Sequence, residues 1–133
     1  MTKEELLALW NANSWEVETW GIFFIAHQAE RELYISCSGY TEDEVLVLSF
    51  WKQLVQNLEK LDQQAHNILQ KEFPDDKEIL NLPLTDIVVD KNGYYGTFTL
   101  SYNAGDSPAG ELYLNVSFNE NFVPSQVVGY DTF

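Results

Sequence analysis

Cysteine is nearly absent: Cys37 stands alone, which excludes an internal disulfide and any multi-cysteine zinc site. Basic residues are almost as scarce, with seven lysines and arginines against 21 aspartates and glutamates, for a net charge of −14. A surface of that sign repels nucleic-acid phosphates and anionic lipid, so neither is expected as a direct ligand. Histidine occurs only as His27 and His66, and neither has a carboxylate or cysteine at a recognised ligand spacing, so no metal is expected. Long apolar runs are missing: Gly21–Ala26 falls far short of the roughly 20 residues needed to cross a bilayer. Met1–Glu5 turns acidic at once, with no basic segment ahead of an apolar one, so no secretory signal is read and a cytoplasmic location is expected. The chain also lacks a G-x-S-x-G elbow, a Walker phosphate loop, a dinucleotide glycine fingerprint and an H-E-x-x-H pair. No catalytic residue and no cofactor is assigned from motifs.

What is present suits one folded domain over residues 1–133, with 45% hydrophobic and 14% aromatic residues, far from the composition of disordered chains. Thr2-Lys3-Glu4-Glu5 has the form of a capping box and opens a short N-terminal helix carrying Leu6, Leu7, Leu9 and Trp10. From Glu16 to Ile25 the pattern is strand-like with both faces largely apolar, which predicts a central strand, and Arg31–Ser38 pairs with it as a hairpin. Thr41-Glu42-Asp43-Glu44 is a second capping box. A long amphipathic helix is then predicted from near Val47 to the stop at Pro74, on a face shared by Val47, Trp51, Leu54, Leu58, Leu61, Ala65 and Leu69. Val45 and Leu46 fall outside that face, leaving residues 44–48 as helix or short strand.

Leu84–Asp90 and Tyr94–Tyr102 flank Lys91-Asn92-Gly93, where Asn-Gly is the strongest short hairpin signal. A turn-rich loop over Ala104–Gly110, a strand over Glu111–Phe118 and a last strand near Gln126–Tyr130 complete the chain. The expected fold is α+β: a mostly antiparallel sheet of about six strands, one long helix packed on it and a short N-terminal helix.

Asp62 breaks the apolar pattern of the long helix, about 40° from the centre of its buried face. It is read as a buried carboxylate, either paired with Arg31 or a backbone amide, or a raised-pKa acid in a cleft. Acidity is unevenly placed: the helix from Trp51 to Phe73 balances its own charges, and no lysine or arginine follows Lys91. The strands are rich in tyrosine, with Tyr34 and Tyr113 expected to face away from the helix and Tyr95 or Tyr102 candidates to join them. Tyrosine combines apolar area with a polar tip, which suits interfaces. Candidate partner contacts are therefore Glu42, Asp43, Glu44, Tyr34, Tyr113 and Glu111, and the expected partner is a basic protein. Two other classes stay open: a small-molecule site between helix and sheet, or an enzyme built around Asp62 or a histidine.

The stretch Gly110-Glu111-Leu112-Tyr113-Leu114-Asn115-Val116-Ser117-Phe118-Asn119-Glu120-Asn121-Phe122 resembles the closing strands of small, acidic bacterial immunity proteins of polymorphic toxin systems. That resemblance implies a cytoplasmic protein that neutralises a basic toxin by binding and occlusion, and it assigns no family residue set to this chain.

Overall fold

The computed structural model describes residues 1–93 and 97–132. Its α+β architecture is one seven-stranded mixed sheet, with strands in sequence order and helices packed on one of its faces. The strands are β1 (Glu16–Glu18), β2 (Gly21–Gln28), β3 (Arg31–Ser38), β4 (Leu84–Asp90), β5 (Phe98–Ser107), β6 (Gly110–Phe118) and β7 (Gly129–Thr132). Adjacent strands run antiparallel except β3 and β4, which are parallel. Parallel neighbours need a crossover, and residues 39–83 supply it with all the helices that follow the first. Short connections thus hold for every strand pair but this one, which departs from the antiparallel expectation.

Helix α1 (Lys3–Trp10) and helix α2 (Glu42–Leu46) both begin at complete capping boxes, Thr2 with Glu5 and Thr41 with Glu44. The long helix expected from Val47 is divided: α2 ends at Leu46, α3 spans Trp51–Gln56, and α4 spans Leu58–Glu72. Val45, expected off the apolar face, is fully buried, whereas Val47 is 77% exposed. The break at residues 47–50 resets the helical phase, and the indole of Trp51 donates to the Val45 carbonyl at 2.9 Å across it. A one-turn 3-10 helix, Ile79–Asn81, leads into β4.

The expected central strand at Glu16–Ile25 is instead two strands. The chain turns at Thr19-Trp20, so β1 is an edge and β2 lies inside it. Gly21 permits this turn, since a Cβ built there would lie 2.0 Å from the Cys37 carbonyl oxygen. The β2–β3 hairpin closes through Ala29 and Glu30, both at positive φ, the geometry of a two-residue primed turn. Strand β5 runs on through the expected loop to Ser107, with a register shift at Asn103/Gly105. The last strand lies three residues later than expected at its start, at Gly129. Tyr94–Gly96, the opening of the strand expected after the Asn-Gly turn, lies outside the described residues.

Alternation sorts the side chains. Ile22, Phe24, Ala26, Leu33, Ile35, Cys37, Ile87, Val89, Leu100, Tyr102, Val116 and Phe118 point to the helices and are buried with Trp10, Trp51, Leu54 and Leu69. Trp51 is the hub of the aromatic packing, edge-on to Trp10 at 6.1 Å and in ring contact with Phe24 and Phe50. The burial of Cys37 pushes its thiol up to about 12.

Candidate functional site

The opposite face of the sheet carries no helix, so its alternate residues meet solvent or one another. Register places Glu16 beside Phe23 and Ser36, Ile25 beside Tyr34 and Asp86, Ser101 beside Asn115, and Tyr113 beside Asp131. Phe23 and Tyr34 stack with rings 6.1 Å apart and 10° from parallel. Paired residues on neighbouring antiparallel strands share a face, so these contacts form one continuous surface.

Its middle is ordered by a buried polar chain. The Ser101 hydroxyl donates to Asn115 Oδ1 at 2.5 Å, and the Asn115 amide donates to Asp131 Oδ2 at 2.5 Å. Thr99 and Ser117 hydroxyls bond at 2.9 Å one row away. Thr99, Ser101 and Asn115 are 5%, 5% and 7% exposed, so these hydrogen-bonded groups hold fixed positions. Beside them lies a hollow of about 320 Å³ lined by Ser36, Asp86, Val88, Ser101, Tyr113 and Asp131. The Tyr113 hydroxyl donates to Glu111 Oε2 at 3.0 Å, and that bond orients the ring forming one wall. Burial raises the Asp86 carboxyl above the ordinary aspartate range.

Charge on this face has one sign. Strand alternation puts Glu16, Glu18, Glu32, Asp86, Asp90, Glu111 and Asp131 on it. Lys3, Lys52, Lys60 and Lys71 sit on helices, and Lys77 in the connection ahead of the 3-10 turn. Arg31, the one basic residue in a described strand, turns to the helix side, where its Nη1 donates to Asp62 Oδ2 at 3.2 Å and its Nη2 lies 3.5 Å from Glu59. Lys91, in the turn after β4, pairs with Glu44.

Tyr34, Tyr113 and Glu111 lie on this face, while Glu42, Asp43 and Glu44 form the first turn of α2, beyond the end of β3. Glu42 accepts from the Trp15 indole at 2.6 Å, and Glu44 both caps α2 and holds Lys91, so these two carboxylates already serve the fold. Tyr102 belongs to the opposite, helix-covered face and is fully buried, and Tyr95 lies outside the described residues. Sequence reasoning missed Asp86, Asp131, Ser36, Ser101 and Asn115. Asp86 alternates with Ile87 and Val89 and was open to a period-two reading, but the irregular step between Leu84 and Asp86 breaks the phase.

Asp62 stands in a second cluster, on the helix side. Its side chain is 14% exposed and receives Arg31 on one oxygen and the Tyr102 hydroxyl, at 2.5 Å, on the other. His66 Nδ1 lies 3.2 Å from Asp62 Oδ1 and 2.9 Å from the Asp62 carbonyl, and its Nε2 lies 2.9 Å from the Leu82 carbonyl. Burial works to raise the Asp62 carboxyl, yet the bonds from His66 and Tyr102 and the charges of His66 and Arg31 outweigh it, and the result lies below the usual range. The direction is the reverse of that expected for a raised-pKa acid, although Asp62 and His66 do border a hollow of about 590 Å³ together with Glu59, Lys60 and Leu80. The Asp62 carboxylate in turn raises His66 against the effect of burial, and burial with the Asp62 charge raises Tyr102. Both histidine nitrogens face protein acceptors, which favours the doubly protonated ring and leaves neither free to exchange a proton with a substrate. The cluster ties β3, α4, β5 and the approach to β4 together. The other histidine, His27, sits at the rim of the open face, 3.7 Å from Glu32.

No helix is long and apolar enough to cross a membrane among the described residues. No protein-family model matches the chain, and neither curated proteins nor solved structures yielded a match.

Proposed function

We propose that the chain is a binding module for a basic protein, which it takes onto the helix-free face of its sheet, and that it acts by occlusion as an immunity protein does toward a toxin. The observation that carries this reading is the segregation of charge: carboxylates and aromatic rings share that face, and every lysine and arginine lies elsewhere. Such a field speeds encounter with a cationic surface, and Tyr34, Phe23 and Tyr113 supply apolar contact once the surfaces meet. Short β1 and β7 at the two edges limit strand addition, so the broad face is the better docking element.

The test is affinity capture with the wild-type chain and with a Glu16→Lys/Glu32→Lys/Glu111→Lys variant at low and high salt. The expected result is a stoichiometric basic partner on the wild type, lost from the variant and weakened by salt, because exposed charges are screened beyond roughly 10 Å at 0.1 M salt. Equal capture of the same partner by both chains would place binding elsewhere and sink the reading.

A further inference from the structure

We infer that the hollow between Asp86 and Asp131 is a seat for a single arginine side chain of the basic partner, an inference that rests on the function proposed above. At about 320 Å³ the hollow stands at the lower end of small-ligand sites, commonly about 300–1,000 Å³, and so suits a side-chain-sized group. Its lining is mixed in the way an arginine requires. Asp86 and Asp131 supply carboxylate oxygens, Ser36 and Ser101 hydroxyls, and Tyr113 and Val88 an aromatic and an aliphatic surface.

Geometry favours a guanidinium over an ammonium. Asp86 is on β4 in a row with Ser101, Asn115 and Gly129, and Asp131 is on β7, three strands away and two residues along from that row, a backbone separation of about 16 Å at the usual spacings of about 4.8 Å per strand and about 3.3 Å per residue. Both side chains border the same hollow, which narrows the gap between their carboxylates. A planar guanidinium presents N–H groups along several edges and can meet acceptors on both sides, while an ammonium is a point charge that serves one side. The guanidinium also stacks on an aromatic ring, and Tyr113 offers one held in place by Glu111.

The seat is built before the ligand arrives. Asp131 is held by Asn115, and Asn115 by Ser101, with the last two more than nine-tenths buried, so little rotamer freedom is left to lose on binding. Among the described residues no basic side chain forms an ion pair with Asp86 or Asp131. The desolvation that raises the Asp86 carboxyl is a standing cost which an incoming cation offsets.

The experiment titrates hexa-arginine and hexa-lysine peptides into the full chain at low salt by calorimetry. It compares wild type with Asp86→Asn and Asp131→Asn in the hollow, and with Glu16→Gln and Glu32→Gln on the same face outside it. Each variant removes one negative charge, and the amides preserve side-chain shape. The expected result is tighter binding of hexa-arginine than of hexa-lysine, about tenfold or greater weakening by each hollow variant, and less than about threefold by each control. Equal weakening by all four, or equal affinity for the two peptides, would overturn the seat while leaving the acidic docking face intact. Failure of both peptides to bind wild type would overturn the seat and the docking face together. Thermal melting of each variant accompanies the titrations, and a hollow variant that melts as wild type does yet keeps full arginine affinity would also overturn the seat.

Discussion

Replacing Asp62 by alanine should be among the most damaging single changes in the protein. The carboxylate accepts from Arg31 at 3.2 Å and from Tyr102 at 2.5 Å and lies 3.2 Å from His66 Nδ1, and its side chain is 14% exposed. Its removal leaves a buried tyrosine hydroxyl with only the backbone carbonyl of residue 62, at 3.4 Å, and a largely covered guanidinium with only Glu59, at 3.5 Å. Leaving one buried partner unsatisfied costs about 1–3 kcal/mol, and breaking a buried charge pair about 3–5 kcal/mol. These terms overlap, so about 3–5 kcal/mol is expected for Asp62→Ala, against about 1–2 kcal/mol for Tyr102→Phe, which removes one donor and keeps the ring. At about 4 °C per kcal/mol for a chain of this size, Asp62→Ala should melt roughly 12–20 °C below wild type.

The loss should also depend on pH in a defined direction. Asp62 is lowered in the folded state, so its stabilisation is present above 3.8 and is lost as pH falls through the lower folded value. His66 is raised, so its stabilisation is present below 6.5 and is lost as pH rises through the higher folded value. The gap between wild type and Asp62→Ala should therefore be widest near pH 5 and narrow on both sides. Urea denaturation from pH 3 to pH 9 measures it. A loss under about 1 kcal/mol, or a gap that does not change with pH, would refute a charge-coupled clamp at this position.

Other perturbations probe the remaining elements. Gly21→Ala brings a Cβ to 2.0 Å from the Cys37 carbonyl oxygen and should cost at least about 2 kcal/mol in chemical denaturation, since backbone must move. Trp51→Ala should cost about 3–5 kcal/mol while Val47→Ala, at a position 77% exposed, should stay within about 0.5 kcal/mol; comparable losses would mean that α2 and α3 form one continuous helix. Asp86→Asn should raise stability at pH 7, because the folded state penalises the ionised carboxyl. That penalty is full above the raised folded value and absent below 3.8, so the gain should vanish in urea melts at pH 3.

Several elements were written in short stretches of sequence. The two capping boxes at Thr2 and Thr41 start helices because a threonine oxygen and a glutamate three residues on satisfy free amides locally, whatever the remainder of the chain does. Strand β3 and nearly all of β6 were read from period-two alternation, and the turn at Asn92-Gly93, where Gly93 holds φ +62°, from the Asn-Gly pair itself. The imbalance of charge and the expected outward placement of Tyr34 and Tyr113 came from composition and alternation alone.

What lay beyond local reading depends on contacts between residues far apart in the chain. The turn at Thr19-Trp20 splits an apolar run whose period is the same with or without it, and the close approach of Cys37 to Gly21 identifies the turn. The helical run is cut at residues 47–50 because Val45 and Trp51 reach a common core, which no single helical phase allows. Asp62 could be seen as out of place, yet Tyr102 comes to it from 40 residues away and, together with His66 and Arg31, reverses the direction in which burial alone would drive its carboxyl. The hollow is the extreme case, for Ser36, Asp86, Ser101, Tyr113 and Asp131 meet only through the order and register of β3 to β7. Composition and periodicity therefore determined the class of the fold and the sign of its charge. Strand register, a long-range property in which a shift of one residue reverses every side chain, decided where that charge is gathered.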